Sequence, residues 1–197
     1  ARIAHGAVRK LDVGRLALVG GDGRQSVRYF LNVASAGLPG CVDRVMQEQP
    51  GRMGGAAAFL VATLRALVGW RDVHCRVEVD GSVLHDGPLV LVAAANATSF
   101  GSGMRIAPHA ASDDGRLDVV VVRSLSKARL IANLPRVYFG AHVGHPAVLY
   151  RQGRSVRLET GEGEIALDVD GEPLAAHRVQ VDLLAGAIQV LGAERAL

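Results

Sequence analysis

The sequence predicts a mainly β protein with a few helices, built as a β-sandwich or barrel. Three observations carry this. From Ala147 onward, short runs rich in Val, Ile and Leu recur at regular intervals, as antiparallel strands do. Asp-Gly, the strongest short turn signal, occurs at Asp22-Gly23, Asp80-Gly81, Asp86-Gly87, Asp114-Gly115 and Asp170-Gly171. Only residues 55–70 carry a clear helical stripe, so strands and helices do not alternate as a parallel sheet requires.

The elements come in order along the chain. RLALV and SVRYFLNVAS have β character on either side of GGDGRQ. LPGCVDRVMQEQP predicts a short helix stopped by Pro50. In GAAAFLVATLRALVGW, Phe59, Leu60, Leu64, Leu67 and Val68 recur at three- and four-residue spacing, and Trp70 packs at the end of that helix. HCRVEVD and SVLHD alternate around Asp80-Gly81 as a hairpin. PLVLVAAANA is a strand buried on both faces, and RLDVVVVR another. SKARLIANLPRVYFG starts a helix at Ser126 despite Pro135. VLYRQ, SVRLET, EIALDVD, EPLAAHRVQVDLL and AIQVLG are the closing strands.

A chain of 197 residues, 49% apolar and 21% charged, is long and apolar enough for a substantial core. Its longest apolar stretch falls well short of the ~20 residues a spanning helix needs, and the N-terminus has no secretory signal. Cys41 and Cys75, without CxxC spacing, are expected as free buried thiols in a reducing cytosol. A net charge of +3 favours anionic partners. No basic cluster with interleaved aromatics is present, so nucleic acid is not an expected partner. His142 and His145, three apart in a Gly- and Pro-punctuated stretch, are expected as surface or core histidines, not as a metal pair.

GGDGR looks like a phosphate-cradling loop. Such a loop follows a strand and opens a helix, whose N-terminus faces the phosphates. Here QSVRYFLNVAS comes next, with β-branched and aromatic residues and no helical stripe, so a turn between antiparallel strands is expected. Two other Asp-Gly pairs have distinctive neighbours. In NATSFGSGMRIAPHAASDDGRLDVVVV, three carboxylates within six residues repel unless a cation or an arginine compensates them. Asp114 suits a hard cation, and a solvated turn with Asp114 capping its own backbone is the alternative. In IALDVDGEPLAA, Asp168, Asp170 and Glu172 alternate, and the turn at Gly171 redirects Glu172. Such a strand tip can act as general base, hold a metal, or simply close a hairpin.

The NATSFGSGMRIAPHAASDDGRLDVVVV block and ALDVDGEPL together resemble the diacylglycerol kinase, sphingosine kinase and bacterial lipid kinase family. GAVRKLDVGRL, RYFLNVASAGLPGCV and GAAAFLVATLRALV are similar in order and spacing to the same family, so the likeness runs from about residue 3 to about residue 192. The resemblance implies the C-terminal β-sandwich domain of a two-domain enzyme, spanning 1–197, with 1–10 as the interdomain lead-in and 193–197 as a tail. The N-terminal α/β nucleotide-binding domain is not in this sequence, and GGDGR, with Arg24 where that domain's loop has Thr or Ser, is a look-alike.

By the same resemblance Glu172 is the proton acceptor for the lipid hydroxyl and Asp170 its supporting carboxylate. Asp114, with the backbone carbonyls of Ala111 and Arg116, holds Mg²⁺. Ser102 in FGSGM is a mild departure from the family's glycine loop. The implied reaction is in-line transfer of the ATP γ-phosphate to a diacylglycerol-like or sphingoid hydroxyl. The implied partners are the lipid, the protein's own nucleotide-binding domain and the membrane periphery on the cytoplasmic side, with a homodimer left open. The chain alone is expected to be silent. The rival readings are an NAD-kinase-like enzyme domain and a non-catalytic lipid-binding β-sandwich module.

Overall fold

The computed structural model describes residues 8–48, 56–161 and 163–191. The lead-in before Val8, the helix stop expected at Pro50 and the tail over 193–197 lie outside them. The chain opens with β1 (Val8–Val19), β2 (Gln25–Phe30) and β3 (Val33–Gly37), then α1 (Leu38–Glu48) and α2 (Ala56–Gly69). Next come β4 (Val73–Val79), β5 (Ser82–Ala95), β6 (Leu117–Arg123), α3 (Lys127–Tyr138), β7 (Val148–Gly153) and β8 (Ser155–Thr160). β9 (Ile165–Val169), β10 (Glu172–Ala176) and β11 (Arg178–Leu191) close it.

The strands join into one antiparallel sheet, ordered β10-β9-β3-β5-β4-β8-β11-β1-β2, with β6 pairing β5 and β7 beside it. This is the mainly β sandwich-like fold that the sequence predicts, its layers being one curled sheet. Alternation along the strands sends Leu16, Val77, Leu89, Val119, Leu158 and Leu167 into a single inner core. The opposite face of β3, β5 and β6 buries Val33, Ala93, Ala95 and Val120 against Ile106 and Ala107. α1 and α2 pack on each other through Val42, Ala62 and Ala66.

The GGDGR stretch is the turn between β1 and β2, closed by Gly20 N–H to the Arg24 carbonyl and Gly23 N–H to the Gly20 carbonyl. Ser126 caps α3, its side chain accepting from the Arg129 N–H, and the helix runs through Pro135. Trp70 is buried. Cys41 is half-buried, Cys75 is buried, and both are free thiols.

Four boundaries differ from expectation. SVRYFLNVAS is two strands, because the chain breaks at Leu31-Asn32 to meet Asp170. SVLHD and PLVLVAAA form the single strand β5. Asp86-Gly87 is therefore no turn: Cys75 pairs with Gly87 and Arg76 with Asp86 across β4, and an Arg76–Asp86 ion pair at 3.0 Å reinforces the register. EPLAAHRVQVDLL divides at His177, where the chain leaves β9 and begins to pair with β8 and β1. AIQVLG up to Leu191 then continues β11.

Candidate functional site

The hairpin of β9 and β10 is closed by Asp170-Gly171, with Glu172 opposite Val169. Both turn residues have positive φ, 49° and 88°, as a two-residue hairpin turn requires. Glycine accepts this freely, and Asp is one of the few other residues that tolerates it. The Asp170 carboxylate accepts the N–H groups of Leu31 (2.7 Å), Asn32 (3.1 Å) and Val33 (2.9 Å), while Asp170 N–H donates to the Val33 carbonyl at 3.1 Å. Those bonds stitch the turn to the β2–β3 break.

An internal counterpart clarifies this. Asp80-Gly81, between β4 and β5, has the same signs of φ, 49° and 77°. Its carboxylate takes the N–H groups of Arg154 and Ser155, both at 2.9 Å, and its N–H meets the Ser155 carbonyl. The aspartate in each turn pins a neighbouring chain reversal. The two turns differ in the next residue: Ser82 in one, Glu172 in the other. Glu172 is exposed, and its carboxylate makes no hydrogen bond or ion pair among the described residues. Asp170 is thus a positioning group with occupied oxygens, and Glu172 is a free carboxylate on the same tip.

Behind the tip lies Asp168, 6% exposed, whose Oδ1 accepts the Gly171 N–H at 2.7 Å. Asp168 neighbours Asp43 of α1, whose Oδ2 is buried without another partner. Burial, then the neighbouring carboxylate, raises Asp43 to about 7, and burial raises Asp168 as well. Asp43 therefore keeps its proton to a higher pH than a solvated carboxyl does. α1 reaches this close because Gly40 sits on the β9 backbone: a Cβ there would come within 2.5 Å of the Leu167 nitrogen.

Asp43 and Asp168 are among the few polar residues that line an apolar cleft of about 1070 Å³, counting its open mouth. Phe59, Leu67, Val90, Met104, Leu134 and Val137 are among the residues that line it, drawn from α2, α3, β5 and the loop after β5. His142 also faces the cleft. Its Nε2 meets the Ile106 carbonyl at 3.0 Å, and burial holds its pKa below the ordinary value. His145 Nδ1 accepts the Ala147 N–H.

The Asp113-Asp114-Gly115 turn is held by Asp12 of β1. Asp12 is 3% exposed; its carboxylate accepts the Gly115 and Gly186 N–H groups, both at 2.7 Å, and its own N–H meets the Ser112 carbonyl. The expected repulsion among the loop's carboxylates is relieved one by one. Asp113 pairs with Arg9 at 2.8 Å, and buried Asp118 accepts from the Tyr150 hydroxyl at 2.5 Å and from Gln152 at 3.2 Å. Asp114 takes the Arg116 N–H on Oδ1 at 2.9 Å, the self-capped turn.

Asp114 Oδ2 and the Ala111 and Arg116 carbonyls are all oxygen donors, the kind a hard cation takes, and Mg²⁺ commonly binds through only one or two carboxylates. Among the described residues no three His, Cys, Asp or Glu side chains gather as a metal cluster. The set fits Mg²⁺ in donor type.

Asp12 and Asp43 were not legible as site residues. Each is the lone acid of its stretch, RKLDVGR and GCVDRVM, and that isolation is the only trace they leave in the sequence.

Residues 32–192 match the family described as the YegS C-terminal NAD kinase beta sandwich-like domain. The chain belongs to this family. It is 27% identical over 192 residues to a diacylglycerol kinase of Mycobacterium tuberculosis, covering 96% of this chain and 59% of that protein. It is 28% identical over 173 residues to a diacylglycerol kinase of Staphylococcus carnosus, covering 86% and 52%. The chain thus spans little more than half the length of these relatives. A diacylglycerol kinase structure from Bacillus anthracis shares the fold at a TM-score of 0.60, with 20% identity, 95% coverage of this chain and 55% of that one. Yeast NADH kinase, solved with NADH, shares it at 0.52 and 14% identity, covering 96% and 45%.

Proposed function

We propose that this chain is the substrate-side domain of an ATP-dependent lipid kinase. One observation carries the reading: the hairpin that presents the unengaged Glu172 also lines the apolar cleft through Asp168. An acyl chain lies in the cleft and brings its hydroxyl toward the tip. Glu172 accepts the hydroxyl proton as the oxygen attacks the γ-phosphorus of ATP, and the bond to the β,γ-bridging oxygen breaks to release ADP. Asp170 keeps the turn fixed, so that Glu172 meets the hydroxyl at a constant position. Asp114, with the Ala111 and Arg116 carbonyls, would hold Mg²⁺, which supplies charge balance when bound. The nucleotide is held by the portion of the protein that the longer relatives carry beyond this domain, and the enzyme works at the cytoplasmic membrane periphery.

The test uses the full-length protein with diacylglycerol, sphingosine and NAD as acceptors. Glu172→Gln should lower turnover of a lipid acceptor by roughly 10²-fold or more while leaving the melting temperature unchanged. Unchanged turnover with retained lipid binding would make the domain a non-catalytic lipid module, and preferential phosphorylation of NAD would assign it to the nucleotide-cofactor branch.

A further inference from the structure

Asn96, the first residue after β5, is a polar side chain only 1% exposed. Its Nδ2 donates to two carbonyls, that of Leu31 at 2.9 Å and that of Asp12 at 3.0 Å. Its backbone N–H donates to the Asn32 carbonyl at 2.8 Å, and the Ala97 N–H donates to the same oxygen at 3.0 Å. Its Oδ1 meets no partner among the described residues, so the two donors are what the side chain supplies.

The β2–β3 break is thereby gripped from both sides. Asp170 takes the N–H groups of Leu31, Asn32 and Val33 and gives its own N–H to the Val33 carbonyl. Asn96 and Ala97 donate to the other two carbonyls, so all six backbone polar groups of residues 31–33 are engaged. The Asp80 turn is the control inside the molecule. Asp80 pins Arg154 and Ser155 in the same way, but there the Arg154 carbonyl is met by the Leu183 backbone N–H. Backbone closes that reversal, and a buried side-chain amide closes the one that holds the Glu172 turn. The second Nδ2 bond leads to Asp12, whose carboxylate holds the Asp113-Asp114-Gly115 turn. One amide thus spans the two acidic turns.

We infer that Asn96 is a positioning residue for the proposed phosphoryl transfer: by gripping the carbonyl side of the Leu31-Asn32 break it fixes, through Asp170, where Glu172 meets the lipid hydroxyl. The inference rests on the lipid-kinase reading for what Glu172 does, while the grip itself is geometry. Asn96 supplies neither acid nor base. Its contribution is orientation, where a displacement of about 1 Å can lower a rate about 10²-fold.

The experiment is a double-mutant cycle in the full-length protein with a diacylglycerol acceptor. Asn96→Asp keeps the shape of the side chain and removes both donors, and Asn96→Ala removes the side chain. Either should lower kcat about 10–100-fold with KM for lipid and for ATP unchanged. In a Glu172→Gln background the same substitutions should lower the residual turnover by no more than about two-fold, because the group they misplace is already gone. A purely structural role would lower turnover equally in both backgrounds, and that result overturns the inference. Amide hydrogen exchange supplies a readout free of turnover. In the wild type, the Asn96 side-chain amide and the N–H groups of Leu31, Asn32 and Val33 should show the same protection, as one opening unit. Asn96→Ala should speed exchange of the three N–H groups about 10-fold, and Asp80→Asn should leave them unchanged. An Asn96 amide protected about 10-fold less than those N–H groups in the wild type overturns the inference, even where the Asn96 variants do not fold. If Glu172→Gln leaves turnover unchanged, the kinase reading fails and takes the catalytic half of the inference with it, while the exchange data still decide the grip.

Discussion

Asp170→Ala should unfold the domain's functional tip by removing acceptors, not chemistry. The Asp170 carboxylate accepts three backbone N–H groups across 137 to 139 residues of sequence. Hydrogen bonds to a charged group contribute about 1.5–3 kcal/mol each when intact. Leu31 and Asn32 are exposed and Val33 is buried, so water replaces two of the lost partners and only one N–H is left orphaned. Alanine at φ 49° adds about 1–2 kcal/mol of backbone strain. The expected loss is about 2.5–5 kcal/mol for Asp170→Ala. Asp170→Asn keeps one acceptor oxygen and tolerates the same φ, so about 1–2 kcal/mol is expected there. Asp80→Ala, which loses two such bonds, should fall between them. Urea denaturation tracked by the fluorescence of Trp70, the single and buried tryptophan, reads all three. An Asp170→Ala variant within about 0.5 kcal/mol of wild type would refute the positioning role and return Asp170 to the reaction itself.

The same geometry sets three further outcomes. The folded chain keeps a proton on Asp43 up to about pH 7, whereas the unfolded chain releases it near pH 4, so this group makes stability fall as pH rises through that window and level off above it. Asp43→Asn should flatten the fall, which urea midpoints at pH 5 and pH 8 would reveal. Gly40→Ala should lift α1 from the β9 backbone and cost about 1–3 kcal/mol by overpacking, with the pH dependence of the Asp43–Asp168 pair shrinking in parallel. Asp12→Ala removes the acceptor of two half-buried N–H groups, those of Gly115 and Gly186, and should cost about 2–4 kcal/mol, while Asp12→Asn should lose visibly less by the same denaturation assay.

The parts of the fold that sequence revealed are those dictated within a few residues. The Asp80-Gly81 and Asp170-Gly171 turns, the Ser126 cap and the α2 stripe each arise from local sterics or periodicity. GGDGR was separable from a phosphate loop because the next element in the chain is a strand, β2, and not a helix. The misread boundaries all have distant causes. The break at Leu31-Asn32 is made by an aspartate 138 residues later. Asp86-Gly87 stays extended because β4 supplies its ladder and Arg76 its counter-charge. In the site, the carboxylates of the Asp-Gly-Glu tip were visible as a local motif, and their division of labour was not. Which oxygen is occupied depends on β2 and β3, and the Asp43–Asp168 contact depends on a helix laid on bare backbone at Gly40.

The tip's attachment has a mechanical corollary. Glu172 stands on a turn bolted through Asp170 to residues 31–33 and braced inside its own hairpin by Asp168, which accepts the Gly171 N–H. Such a tip cannot swing toward a phosphate as a free lid would. On the proposed kinase reading, Glu172 therefore meets the phosphate by travel of the whole sheet, not by bending of the hairpin.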